Sequence, residues 1–512
     1  MARRHGAAKV TILIRHRKSL PAVYKETLTK DLSKLRYLES ASQTSGQFLT
    51  KVGFSLLFLV IVYVVAVSSG GSETYNAFIV AAGVCGAYMA MNIGANDVAN
   101  NMGPAVGSKA LTLPAALAIA AIFEAAGALI AGGDVVKTIS KNIIAVDSFD
   151  NELTFIWAML SALIAASLWI NIATMVRAPV STTHSIVGGV MGAGIGAAGF
   201  AIVNWGTMSK IAASWVISPV LGGIIAAIFL AFISNFIVYR EDKIAGAKRW
   251  VPALVGIMAG VFAAYLMLKG LKRVWKPEPW MITSVAIAIG AFTYLVLKPY
   301  IARKASGMEN RNKSIRTLFT VPLICSTALL SFAHGSNDVA NAVGPLAAIV
   351  SAAASGSIAT KVTIPLWVMC IGAIGISLGL ALFGPRLIRM VGDQITKMNP
   401  MRAYCVALSA AITVLIASAL GLPVSSTHIA VGAVFGVGFF REWQTSRRTH
   451  INHGQYRKGK KFWEKMDPEE RALRRKLVRR QHVVTIASAW VITVPATAIL
   501  AAALFWGLRS VF

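Results

Sequence analysis

The chain has 512 residues, of which 56% are hydrophobic and 14% charged, with a formal net charge of +29. A mean hydropathy of +0.64 excludes both an ordinary soluble domain and a disordered chain. The basic excess sits in short polar segments between apolar runs, as in the cytoplasmic loops of membrane proteins, so the charge does not point to a nucleic-acid partner.

Residues 1–51 are polar, with 11 Lys+Arg against 3 Asp+Glu, and show no cleavable signal peptide. The first apolar run begins near Val52 and reads as a signal anchor. Runs of about 17 to 25 residues, enough to cross a bilayer, then begin near residues 75, 111, 153, 209, 250, 279, 317, 364, 402 and 482. Shorter apolar pieces follow Pro179, Pro345 and Pro423. The runs are too long and too uniform for a β-barrel, which leaves an all-α polytopic membrane protein. Cys85, Cys325, Cys370 and Cys405 all lie in apolar runs and read as packing residues rather than disulfides or metal ligands.

The chain repeats itself. "GANDVANNMGP" at 94–104 recurs as "GSNDVANAVGP" at 335–345, "APVSTTHSIVG" at 178–188 as "LPVSSTHIAVG" at 422–432, and "SWVISP" at 214–219 as "AWVITVP" at 489–495. The order is preserved and the spacing far exceeds solenoid periods, so these are two homologous halves. We divide the chain into a basic arm (1–51), an extra N-terminal transmembrane helix (52–70), repeat 1 (75–240), a connecting hairpin and loop (241–316) and repeat 2 (317–512), which includes a basic loop at 441–480.

Charge sets the orientation. With the arm inside, residues 240–249 and 300–316, basic by 4 to 2 and 5 to 1, also fall inside. The opening spans of the two repeats then run in opposite directions, so the repeats have inverted topology, with broken or re-entrant helices and about 12 membrane segments. The 441–480 loop, with 14 Lys+Arg against 5 Asp+Glu, lands inside as well. This places the N-terminus in the cytoplasm and the C-terminus outside it. One stretch conflicts with the rule: residues 269–279 carry four basic residues and would be outside.

Within the first repeated motif, Asn96 and Asn100 share a helix face with Asp97 beside them, and Asn337, Asp338 and Asn341 repeat the spacing. Gly103-Pro104 and Gly344-Pro345 are expected to interrupt each helix and free backbone carbonyls. A desolvated hard cation could bind these carbonyls, its shell completed by Asp and Asn oxygens. Buried polar packing is the bland alternative, but carboxylates inside a membrane point to function. Glu124, alone in "ALAIAAIFEAAGALIAG", joins them as a candidate for the cation pathway.

In the second motif, a proline and a run of hydroxyls suit the first turn of a helix, where free N–H groups and the dipole favour an anion. Ser181, Thr182, Thr183, Ser425, Ser426 and Thr427 are therefore candidate anion contacts, against the alternative of ordinary capping. His184, His428 and His334 read first as packed hydrogen-bonding residues, with a direct role in transport the lesser reading. None of the repeated motifs contains Lys or Arg, and Arg177 stands just before the first hydroxyl motif. Two aspartates and an oxyanion need positive charge, and coupling cations would supply it.

These motifs, with "IFEAAG", resemble the inorganic phosphate transporter family over roughly residues 75–510. The resemblance implies an inverted-repeat fold of about twelve helices, often dimeric, that carries out sodium- or proton-coupled phosphate symport. By motif match it puts phosphate on the six hydroxyl residues, with Asn96 and Asn337 associated with both phosphate and cation. It puts the cation, Na+ if the protein is sodium-coupled, at Asp97 and Asp338, with Asn100 and Asn341 nearby. The arm and the span from Val52 look like additions to the family core, and the long central loop of many eukaryotic members is absent.

The sequence thus describes a secondary active transporter of a prokaryotic inner membrane that imports phosphate by alternating access. It is not an enzyme and has no cofactor beyond a coupling Na+ or H+. Its partners are phosphate, the cation and membrane lipid, with no nucleic acid. Sulfate or another tetrahedral oxyanion is the alternative cargo. A membrane-embedded phosphatase with His184 or His428 as nucleophile is the remote one, because neither motif offers a basic clamp or an acid partner.

Overall fold

A computed structural model of the chain describes residues 48–69, 75–175, 180–270, 277–355, 364–394, 398–451 and 480–511, together with positions 46 and 275. Arg177, Pro179 and most of the basic arm lie outside the described residues. Among those described, eleven helices are long and apolar enough to cross a membrane, and the only extended pairing is the isolated bridge between Ile144 and Val203. The chain divides into two units, Met1–Leu57 and Phe58–Phe512. In the first, the described part is the start of α1 (Phe48–Ser69), where Phe48, Leu49, Phe54 and Leu57 are exposed apolar side chains. The second contains both copies of every repeated motif.

Helix starts differ from the hydropathy reading where polar caps precede the apolar run. α7 (Trp205–Ile233) begins at Asn204, whose side chain accepts from Thr207 N, and α8 (Lys243–Lys269) at Asp242, which accepts from Ala245 N. Such caps satisfy the free N–H groups of a first turn, but hydropathy does not register them.

Two helices form the centre. α2 (Asn76–Gly107) and α11 (Thr320–Ser355) carry the two acidic-amide motifs, and 83% of α11's most apolar window is buried, against none of α9's (Pro279–Lys304). α3 (Leu113–Ala131) packs on α11, and α12 (Leu366–Gln394) on α2. Backbones touch at these crossings. A Cβ on Gly94 would fall on the carbonyl oxygen of Ile376, and one on Gly335 on that of Glu124. In return, Gly379 meets Met91 and Gly127 meets Phe332. α6 (Thr182–Ala198) lays Gly188 and Gly192 on the final helix, α15 (Arg480–Val511), at Val494 and Ala498. α14 (Ser426–Ile451) lays Gly432 and Gly436 on α7 at Pro219 and Gly223. Each half therefore packs against the other, and the residues that touch repeat at the spacing of the sequence motifs.

Two expectations are corrected. α2 and α11 run unbroken through Gly103-Pro104 and Gly344-Pro345. Proline removes one ladder bond, but the packing of both helices outweighs its local preference. The chain breaks instead just before the hydroxyl motifs, between α5 (Glu152–Met175) and α6, and between α13 (Pro400–Ala419) and α14, where Gly421 takes a φ of +67°. The basic loop expected at 441–480 is also shorter, since α14 continues to Ile451 and α15 starts at Arg480. Residues 452–479 lie outside the described residues.

Part of the basic stretch 269–279 is accounted for. Lys269 pairs with Asp134 at 2.6 Å on α4 (Gly133–Lys141) and donates to Ala419 O at 2.7 Å. It neutralises an acid rather than adding free positive charge there.

Gly335→Val should overfill the α3–α11 crossing and lower stability by about 1–3 kcal/mol. Thermal unfolding in detergent should show a lower midpoint than wild type, and an unchanged midpoint would contradict the close approach.

Candidate functional site

Helical spacing places His334, Asp338 and Asn341 on one stripe of α11, and Asp97, Asn100 and Asn101 on one stripe of α2. The stripes face each other with Glu124 of α3 between them. Asp97 and Asp338 are 1% exposed, and Glu124 and His334 are 0%. Among the described residues no lysine or arginine is buried.

The hydroxyl turns close this cluster. Ser181 caps α6, its Oγ accepting from His184 N at 3.2 Å, and Ser425 Oγ accepts likewise from His428 N at 3.4 Å. The next hydroxyl in each turn donates to the aspartate of its own repeat, Thr182 to Asp97 Oδ2 at 3.0 Å and Ser426 to Asp338 Oδ2 at 3.1 Å. The third meets the amide of the other repeat. Asn100 Nδ2 donates to Thr427 Oγ1 at 2.8 Å, and Asn341 Nδ2 to Thr183 Oγ1 at 3.2 Å. Thr427 also donates to Asp97 Oδ1 at 3.1 Å, and Thr183 to Val424 O at 3.0 Å. The two turns and two acidic motifs thus form one hydrogen-bonded unit.

The two halves differ in exposure. Asn96, Asn100 and Thr427 are partly exposed, whereas Asn337, Asn341 and Thr183 are fully buried. They also differ in what the amides do. Asn96 donates to Asp97 at 3.2 Å. Asn337 donates to Ser418 Oγ at 3.0 Å and to Leu422 O at 3.1 Å, and accepts from Val424 N at 3.1 Å. Its amide is committed to the loop that carries the second hydroxyl turn.

A further asymmetry lies in residues that the repeat does not duplicate. His334 Nε2 is 3.0 Å from Asp338 Oδ2 and 3.9 Å from Asp97 Oδ2, while its Nδ1 is 3.3 Å from Glu124 Oε1. Asn101 Nδ2 donates to the same Glu124 oxygen at 2.9 Å. The matching positions in the other half are Ile93 for His334, Ala342 for Asn101 and, by the glycine crossings, Ile376 for Glu124. A neutral imidazole has one N–H and cannot donate to carboxylates on both sides. Neither ring nitrogen makes a hydrogen bond of normal geometry, and the contacts to Glu124 and Asp338 become ion pairs only with an imidazolium. Asn101 was passed over in the sequence, where its signal was the doublet "NN", and His334 was read there first as a packed hydrogen-bonding residue.

Within this cluster four buried oxygens have no hydrogen-bond donor: Asn101 Oδ1, Glu124 Oε2, Asp338 Oδ1 and Asn341 Oδ1. Asp97, His334 and Asp338 also offer ligand atoms within 4.8 Å of one another. Oxygen donors of this kind suit a hard cation such as Na+, and orphaned acceptors at this depth are costly without one. His184 and His428 stack 4.7 Å apart, and His184 lies 3.8 Å from Trp215, whose Nε1 donates to Pro423 O at 3.0 Å. No basic residue accompanies them among the buried side chains, so the clamp a phosphatase would need is missing there.

With this geometry described, the relatives are informative. A family model described as "Phosphate transporter family" matches residues 93–501. A candidate phosphate permease of Helicobacter pylori (strain J99) is 42% identical over 528 aligned residues, covering 93% of this chain and 98% of the relative. One from Thermococcus kodakarensis is 38% identical, over 70% of this chain and 87% of its own length. A solved structure, "The sodium-dependent phosphate transporter", superposes with a TM-score of 0.75 at 35% identity, covering 85% of this chain and 100% of that one. The chain belongs to the phosphate transporter family. It is a multi-pass membrane protein of the transporter class, not an enzyme.

Asn337→Ala should leave Val424 N and Leu422 O without the Asn337 side chain they bond and lower stability by about 1–3 kcal/mol. Asn341→Ala, which removes only the longer bonds of 3.2 and 3.4 Å, should lower it much less. Unfolding of both variants in detergent checks this, and equal losses would contradict it.

Proposed function

We propose that the protein imports inorganic phosphate by cation symport, with Na+ as the coupling ion favoured over H+. The carrying observation is the buried cluster of Asp97, Glu124, Asp338 and His334, in which three carboxylates face one imidazole. A phosphate brought beside this set adds negative charge that no buried lysine or arginine balances. Removing a charge from water is expensive unless it is paired. The anion can therefore enter only with cations or protons, and that requirement is the coupling. That the solved relative is a sodium-dependent phosphate transporter supports the choice of ion.

In this reading, phosphate lies against the two hydroxyl turns, Ser181–Thr183 and Ser425–Thr427. The dipoles of α6 and α14 and the free N–H groups of their first turns oppose its charge. Asp97, Asp338, Asn96, Asn100, Asn341 and Glu124 supply cation ligands. Asn337, assigned from the sequence to both phosphate and cation, acts here by positioning the second hydroxyl turn.

Alternating access rests on the exposure difference between the halves. Asn100–Thr427 is partly exposed and its counterpart Asn341–Thr183 is sealed. Exchanging these two states would carry the site from one side of the membrane to the other. The matched crossings with exchanged partners support the inverted repeat that such an exchange needs. With the basic arm inside, the C-terminus lies outside the cytoplasm.

The test is radiolabelled phosphate uptake into proteoliposomes under an imposed Na+ or proton gradient, with sulfate as competitor. Uptake should follow one gradient and resist sulfate. Asp97→Asn and Asp338→Asn should each reduce it at least tenfold, while Thr182→Val should mainly raise the KM for phosphate. Gradient-driven uptake that survives both aspartate changes would falsify the ion role.

A further inference from the structure

The loop that delivers the second hydroxyl turn is held by helices from across the fold, and two of its ties come from outside the central cluster. α13 ends in a cap in which Gly421, at a φ of +67°, donates its N–H to Ser418 O, and Leu422 N donates to Ala417 O. Five carbonyls between Ala419 and Val424 accept from side chains of other helices. Asn337 of α11 donates to Leu422 O at 3.1 Å, Trp215 of α7 to Pro423 O at 3.0 Å and Thr183 of α6 to Val424 O at 3.0 Å. The other two ties are Lys269 Nζ of α8 to Ala419 O and Thr138 Oγ1 of α4 to Gly421 O, each at 2.7 Å.

These two ties form one strut. Asp134 and Thr138 are one turn apart on α4 and both lie against the loop. A Cβ on Gly421 would stand 3.3 Å from Thr138 Oγ1 and 3.5 Å from Asp134 O. Asp134 Oδ2 in turn takes Lys269 Nζ at 2.6 Å. The charges suit their places. Asp134 stands in the first turn of α4, while Lys269 stands in the last turn of α8 and against the last carbonyls of α13, so each meets a helix end of opposite sign. With its side chain only 19% exposed, Lys269 uses both partners to offset lost hydration. α10 (Asn312–Leu318) packs against both α8 and α13, so the helices that bring Lys269 to Ala419 are joined a second time. Between the end of α13 at Ala419 and the start of α14 at Ser426 there is no helix. The loop's own bonds therefore set where the turn lies.

Building on the placement of phosphate against this turn proposed above, we infer that Lys269, held by Asp134, and Thr138 are positioning residues for its binding: they fix the loop that presents Ser425, Ser426 and Thr427. Without a tie the loop samples other shapes, and phosphate binding must then order it. The effect falls on phosphate affinity, because the aspartates and the first hydroxyl turn keep their own partners.

Equilibrium binding of radiolabelled inorganic phosphate to purified full-length protein in saturating Na+ checks this, alongside uptake kinetics in proteoliposomes. Lys269→Met should raise Kd and KM roughly tenfold with little change in maximal rate. Asp134→Asn, which leaves the bond to Ala419 O, should raise them less, and the double variant no more than Lys269→Met. Lys269→Arg, which can still donate to both oxygens, should restore a Kd near wild type. A purely structural role would lower the number of binding sites and leave the Kd of the folded fraction unchanged, and that result would overturn the proposal. If Lys269→Met does not yield monodisperse protein, Thr138→Val decides: Kd should rise severalfold, and a wild-type Kd would overturn the strut. Ser426→Ala in the same assay separates the strut from the placement of phosphate. Weakened binding there, with a wild-type Kd in the strut variants, defeats the strut alone. A wild-type Kd in Ser426→Ala as well defeats the placement on which the strut rests.

Discussion

Asp97, Glu124 and Asp338 are withdrawn from water around a single histidine, inside a protein whose other buried side chains are mostly apolar. Such a set is unstable with all groups ionised and nothing added. The rest of the centre follows from this constraint. Hydroxyls of both turns donate to the aspartates, Asn101 and His334 contact Glu124, and four oxygens are left without donors. Neutral donors soften the negative potential without cancelling it. In the function proposed here, the remaining imbalance makes the anion's passage depend on a cation.

Duplication explains how one site draws on distant parts of the chain. Each acidic motif bonds to the hydroxyl turn of its own repeat through the aspartate, and to the turn of the other through the second asparagine. The helices behind the turns are exchanged as well, α6 lying on α15 and α14 on α7. Neither half could keep its site without the other. The departures from symmetry are equally specific. His334, Glu124 and Asn101 stand where the other copy has Ile93, Ile376 and Ala342, and they form one connected chain. Symmetric elements frame the site and supply two of its carboxylates, and the unsymmetric residues add the third carboxylate and the imidazole.

Much of this was legible in the sequence, for identifiable reasons. Bilayer-length apolar runs need no tertiary context, so the eleven long helices could be read from hydropathy. The duplicated motifs could be read because they keep both spelling and order. Gly103-Pro104 and Gly344-Pro345 misled because local helix-breaking was outweighed by packing on all sides. Asn101 was missed, and His334 was read first as packing, because their importance depends on which helix faces them. The counterpart of Glu124 was also out of reach, since α3 and α12 share no spelling and their relation emerges only where Gly94 and Gly335 meet Ile376 and Glu124.

The central claim is that this buried negative charge admits phosphate only when a cation accompanies it. Equilibrium binding of phosphate to purified protein, titrated with Na+ replaced by choline and repeated across pH, tests that claim without any transport step. Phosphate affinity should fall at least tenfold when Na+ is removed, or should vary as strongly with pH if protons take its place. A phosphate affinity indifferent to both Na+ and pH would contradict the account.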